Sequence, residues 1–164
     1  MSATRKKRTD LTPPSVSGDE RTTLLAFLDY LRDSVAGKVA GVPEPQVREP
    51  GVPSGTNLIG LVTHLTAVER FCFLGEEITD LDATMRADPD LSVDDALADY
   101  RRAVAEANEV IKRCTDLEQP SPRPRRHGST ATMRWTLVHM IEETGRHAGH
   151  ADIIRERIDG AVGR

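Results

Sequence analysis

Apolar residues recur every three or four positions in four separate stretches of the chain, and each stretch reads as an amphipathic helix. The first predicts a helix from about Asp19 to Gly37, with Leu24, Leu25, Leu28, Leu31 and Val35 on its apolar side. Residues 38–55, KVAGVPEPQVREPGVPSG, are dense in Pro and Gly and form a connector. The second helix is expected from about Thr56 to Glu77, capped by Ser54 or Thr56, with Leu58, Leu61, Leu65, Val68 and Phe71 as its stripe. After a second connector, residues 78–92, the third runs from about Ser92 to Leu117. Ser92 caps it, Asp95 sits in its first turn, and Pro120, Pro122 and Pro124 close it off. The fourth begins near Thr130 or Thr132 and continues to Ile158, with Gly160 as its stop. There is no alternating strand pattern of useful length and no internal repeat. The expected fold is all-α, an antiparallel four-helix bundle. Residues 1–18 form a tail, and 19–164 form a single domain.

Composition narrows the function. A chain of 164 residues, 38% hydrophobic and 29% charged, suits one soluble domain that buries its own core. Aromatic residues are only 4% and the net charge is −4, which argues against a nucleic-acid partner. No run approaches the ~18 consecutive apolar residues of a membrane span. The start, MSATRKKRTD, lacks the apolar stretch of a secretory signal, and its Arg5–Arg8 charge run reads as solvated. Cys72 and Cys114 form no CxxC pair and are expected as buried thiols. A cytoplasmic location follows.

The candidate chemistry lies in the fourth helix. Three of the five histidines, His139, His147 and His150, fall in VHMIEETGRHAGHAD together with Glu142 and Glu143. Residues four apart share a helix face, whereas His139 and His147 are about 12 Å apart along the axis and cannot reach one ion. The pairs left open are His139 with Glu143, Glu143 with His147, and His147 with His150. A third ligand must come from another helix. His64 is the candidate, since Leu61, Val68 and Phe71 on its face turn it toward the bundle interior, where metal ligands from facing helices meet. Two imidazoles and a carboxylate suit Zn²⁺, Ni²⁺ or Fe²⁺ with a position open for water or substrate. The same donor set also fits a non-haem iron oxygenase. Arg123, Arg125, Arg126 and His127 make the loop before the fourth helix basic, as a solvated loop or as a receiver for an anion. Gly145 and Gly149 would be explained by close approach of a neighbouring helix, within the chain or from a second subunit of a homodimer.

The stretches DERTTLLAFLDYLRDSV, PSGTNLIGLVTHLTAVERFCF and MRWTLVHMIEETGRHAGHADIIRERIDG resemble the DinB-like (DinB/YfiT) superfamily of metal-binding bundles. Within it they are most similar to the actinobacterial branch related to mycothiol-dependent maleylpyruvate isomerase. The resemblance covers about residues 10–160. It implies a metal triad of one helix-two histidine and an i,i+4 pair from helix four, here His64, Glu143 and His147. Glu at the first position of the pair marks the mycothiol branch. His150 falls where many members carry Gln. His139 has no role that the resemblance assigns. That isomerase carries a further C-terminal domain which these 164 residues do not contain, so the bundle and a thiol-linked chemistry carry over rather than the isomerisation itself. The implied function is a metal-dependent S-transferase using a small thiol, mycothiol, against an electrophilic substrate. His150 or His139 would move a proton or support a ligand. The alternative is a non-catalytic metal-binding stress or structural protein.

Overall fold

The computed structural model describes residues 12–125, 128 and 130–163. The Arg5–Arg8 run, Arg126 and His127 lie outside the described residues. Among those described, four long helices form an all-α bundle: α1 (Glu20–Val39), α2 (Leu58–Glu69), α3 (Val93–Arg113) and α4 (Met133–Asp159). None is long and apolar enough to cross a membrane.

Each helix starts where a side chain satisfies an otherwise orphaned backbone N–H. Asp19 accepts from Thr22, Asn57 from Gly60, Ser92 from Asp95 and Thr132 from Trp135. The helix-two cap is therefore Asn57, not Ser54 or Thr56. Those two residues belong to a turn in which Gly51 N–H donates to the Thr56 carbonyl at 2.8 Å and Gly55 takes a φ of 91°. The α-helical part of helix two also ends early. It widens into a π-helical turn, Arg70–Leu74, and stops at Gly75 in the left-handed region rather than at Glu77. Helix α3 stops at Arg113, four residues before Leu117, because Cys114 is already extended. Helix α4 ends as expected at Gly160, whose φ is 71°.

Helix α1 lies along α4 and α2 along α3, with α2 also meeting α4. That last contact brings the two candidate ligand-bearing helices together. In the second connector a short 3₁₀ turn, Asp82–Met85, lies directly on α2. The Thr63 hydroxyl donates to the Thr84 carbonyl at 2.9 Å, and a Cβ at Gly60 would collide with the Met85 carbonyl. Glycine is what lets this turn approach so closely.

The core has two apolar clusters, one around Val35, Leu61, Leu65, Leu97 and Ile154, the other around Leu28, Phe71, Phe73, Ile111 and Leu137. Arg32 falls between the two clusters in the order of residues along α1, and Glu69 at the end of α2 lies beside Val68 of the second. Arg32 Nε and Nη2 donate to the two Glu69 carboxylate oxygens at 2.7 and 2.6 Å, and Nη1 donates to Asp29 and Asn108. Both side chains are buried. Burial works against the Arg32 charge, but Glu69 and Asp29 more than offset it and raise its pKa.

Cys72 and Cys114 are buried thiols, as expected. A Cβ at Gly145 would meet Leu31 of α1 at ordinary contact distance, so the lack of a side chain there is not forced by close approach. A Cβ at Gly149 would meet no atom of a neighbouring element within 4 Å among the described residues. The reading of both glycines as the seat of a close helix within the chain is thus corrected: α1 does not come near enough to need them.

Candidate metal centre

His64 projects from the middle of α2 and is only 4% exposed. Its Nε2 lies 3.2 Å from Glu143 Oε1, and His147 Nε2 lies 3.2 Å from the same oxygen. The two imidazole rings meet edge to face with centroids 4.9 Å apart. Among the described residues, one group of three His, Cys, Asp or Glu side chains brings a ligand atom of each within 4.8 Å of the others, and it is His64, Glu143 and His147. Helix geometry supplies the Glu143–His147 pair, one turn apart on α4. The α2–α4 contact supplies His64.

The hydrogen bonds around His64 indicate which nitrogen carries its proton. The Thr84 hydroxyl donates to the Leu81 carbonyl at 2.5 Å, so toward His64 Nδ1, at 2.7 Å, it acts as acceptor. In the neutral ring His64 Nδ1 then holds the proton and Nε2 turns its lone pair toward the Glu143 carboxylate, whereas in the imidazolium Nε2–H donates to it. Lone pair against carboxylate is unfavourable unless positive charge lies between them. The distances suit a divalent cation there. Bonds of 2.0–2.1 Å to a tetrahedral ion place ligand atoms roughly 3.3 Å apart, close to both observed separations.

With protonated imidazoles rather than an ion beside it, hydrogen bonds from His147 and then His64 hold the Glu143 carboxyl well below the usual carboxylate range, against the opposing effect of burial. Its ionised form therefore contributes stability that is present above the ordinary value of 4.5 and is lost only as pH falls through the depressed one.

The remaining histidines separate. His150 Nδ1 lies 3.4 Å from His147 Nδ1, on the side of His147 away from Glu143, and is exposed. Burial, then His147, lowers its pKa. His139 stacks on Trp135 with ring centroids 4.9 Å apart, and the Arg123 guanidinium covers the Trp135 ring at 4.6 Å and the Phe71 ring at 5.5 Å. His139 is thus an aromatic neighbour rather than a member of the triad. Arg123, read from the sequence as one of a basic group, is instead placed on aromatic rings. Thr84 was missed altogether, since nothing in a loop sequence marks a hydroxyl that will orient a histidine twenty residues earlier.

A family model described as mycothiol-S-transferase matches residues 23–160. No curated protein and no solved structure gives a match. The matched span contains α2, α3, α4 and all of α1 but its first three residues, together with His64, Glu143 and His147, and it covers most of the 164 residues. By sequence match and helical architecture alike, the chain belongs to the mycothiol-S-transferase family, a DinB-like family.

Proposed function

We propose that the protein is an S-transferase that joins mycothiol to an electrophile, with a divalent metal, zinc in the first instance, held by His64, Glu143 and His147. The observation that carries this reading is the pair of imidazole nitrogens converging on one carboxylate oxygen at 3.2 Å each. When bound, the ion supplies a Lewis acid beside which a thiol ionises, and the thiolate is the nucleophile. The protein's own groups do the rest. Thr84 fixes the His64 tautomer, and the Glu143 carboxylate offsets the charge of the ion. His150, exposed beside His147, accepts the thiol proton. Sulfur then forms its bond to the electrophilic carbon, and the displaced group leaves with the electron pair of the broken bond. We place the protein in the cytoplasm as one domain over 19–164 behind a tail at 1–18. Gly149, open within the chain, is where a second copy would approach in a homodimer.

The test is conjugation of mycothiol to chlorodinitrobenzene, followed by chloride release and thioether formation. Zinc-loaded protein should accelerate it, and His64→Ala should fall to the uncatalysed rate with its metal gone. If mycothiol neither binds the loaded protein nor reacts faster in its presence, the reading yields to a non-catalytic metal-binding role.

Thr84 gives a finer check. Thr84→Val keeps the shape of the side chain and removes the acceptor for His64 Nδ1–H. Groups that orient a metal-binding histidine are worth about 10–100-fold in affinity. A zinc titration against a competing chelator should show a loss of that size, with helix content unchanged.

A further inference from the structure

Two cavities lie beside groups that contact the candidate ligands, and they differ in chemistry. One, of about 580 Å³, is lined by Ser54, Gly55, Thr56, Asp82, Met85 and Arg86. It adjoins His64 through the 3₁₀ turn that carries Thr84. The other, of about 210 Å³, is lined by Val52, Ser54, Thr56, His150, Ile153 and Ile154. It adjoins His147 through His150. Ser54 and Thr56 form a rim common to both.

Apart from the His150 imidazole, the smaller cavity has no ionisable group among its lining residues. Its two hydroxyls, on Ser54 and Thr56, lie 3.2 Å apart, and one donates to the other. Val52, Ile153 and Ile154 supply apolar walls. Ile153 is 57% exposed, the most exposed of the large hydrophobic residues among those described, so it is not held there by the core. The far wall is fixed in place. Gly51 is buried so tightly against Ile154 that a Cβ there would collide with it, its N–H bonds to Thr56, and the Arg157 guanidinium of α4 donates to its carbonyl. The cavity is therefore formed before any ligand arrives, which lowers the cost of binding. A dry cavity of about 150 Å³ suffices for benzene, so this one accommodates a single ring or a short alkyl chain.

We propose that this cavity is the binding site for the apolar group of the electrophilic co-substrate, an aromatic ring or short hydrocarbon chain attached to the carbon that sulfur attacks. The larger, charged cavity on the His64 side is left to the hydrophilic thiol. Naming the occupant as a co-substrate rests on the transferase reading. An affinity of the cavity for an uncharged apolar group does not.

The experiment has two arms, with full-length protein in the zinc-loaded form. In the first, benzyl alcohol, an unreactive ring, is titrated while the methyl resonances of Val52, Ile153 and Ile154 are followed by NMR. Saturable shifts at these methyls are expected. They should be lost in Ile153→Asp, which puts a charge on the wall, and in Ile153→Trp, which fills the space. Both are checked for unchanged helix content by circular dichroism. Methyls that do not move, or binding unchanged in both variants, overturn the site. In the second arm, KM for benzyl bromide should rise about tenfold or more in Ile153→Asp, a larger factor than the change for iodoacetamide, which has no ring or hydrocarbon chain to seat. An equal effect on both electrophiles overturns the assignment of the occupant. If neither electrophile is turned over by the parent protein, the transferase reading and the co-substrate fall together, and the first arm alone decides the apolar site.

Discussion

Glu143→Ala is expected to leave the bundle folded and to abolish stoichiometric metal binding, with a loss in zinc affinity of about 100-fold or more. The expected loss is at least as large as that for a group that merely supports a ligand. Glu143 Oε1 is the atom that His64 and His147 share, and it carries the negative charge at the centre. Without it two imidazoles from different helices remain, with no charge to offset the ion. The fold should tolerate the change, because the Glu143 side chain is 20% exposed and lies outside both apolar clusters. Metal content after gel filtration, with far-ultraviolet circular dichroism as control, reads both halves of this result. His139→Ala should keep its metal. Retention of stoichiometric metal by Glu143→Ala, or its loss from His139→Ala, would reverse the ligand assignment.

The largest effect on stability is expected at Glu69. Glu69→Ala leaves the Arg32 guanidinium, itself 2% exposed, without its bidentate partner. Removing one member of a buried pair costs about 3–5 kcal/mol, because the other charge stays buried and uncompensated. For a chain of this length that corresponds to a fall in melting temperature of roughly 6–20 °C. Asp29 and Asn108 still accept from Nη1, which places the loss toward the lower end. The double change Arg32→Met with Glu69→Leu removes both charges and should recover most of it. Thermal melts of the two proteins decide the matter. A single variant within about 1 kcal/mol of the parent would show that the pair is not desolvated in solution.

The sequence made the site more legible than the ion pair, and the reason is local geometry. Glu143 and His147 are four residues apart on one long helix, so their convergence follows from the helical repeat alone. His64 needed only an inward face, which Leu61, Val68 and Phe71 marked. The Arg32–Glu69 pair joins two helices, and charged residues inside an apolar stripe are easily discounted as surface. The signal was nonetheless present, since Arg32 falls between Leu28 and Val35 at helical spacing, and Glu69 four after Leu65. The cap at Asn57 was legible, since Asn stands directly before the apolar run and caps Gly60 three residues on. Thr84 was out of reach for another reason. It depends on how a connector folds onto α2, and connector geometry is set by tertiary contacts such as the Met85 carbonyl over Gly60. The boundaries of α2 and α3 failed similarly, at a π turn and at an extended Cys114.

His64 and Glu143 are 79 positions apart in the chain. A divalent ion seated on both is a crosslink closing nearly half of the polypeptide into a loop, in a protein whose two cysteines form no disulfide. For a covalent tie of that span the chain-entropy model gives about 4–5 kcal/mol. Occupancy and folding then become one linked equilibrium: the ion favours the folded chain because only the folded chain brings its ligands together, and free metal concentration sets how often the bundle opens. The three side chains assigned to chemistry would in this way also serve as the clasp between α2 and α4.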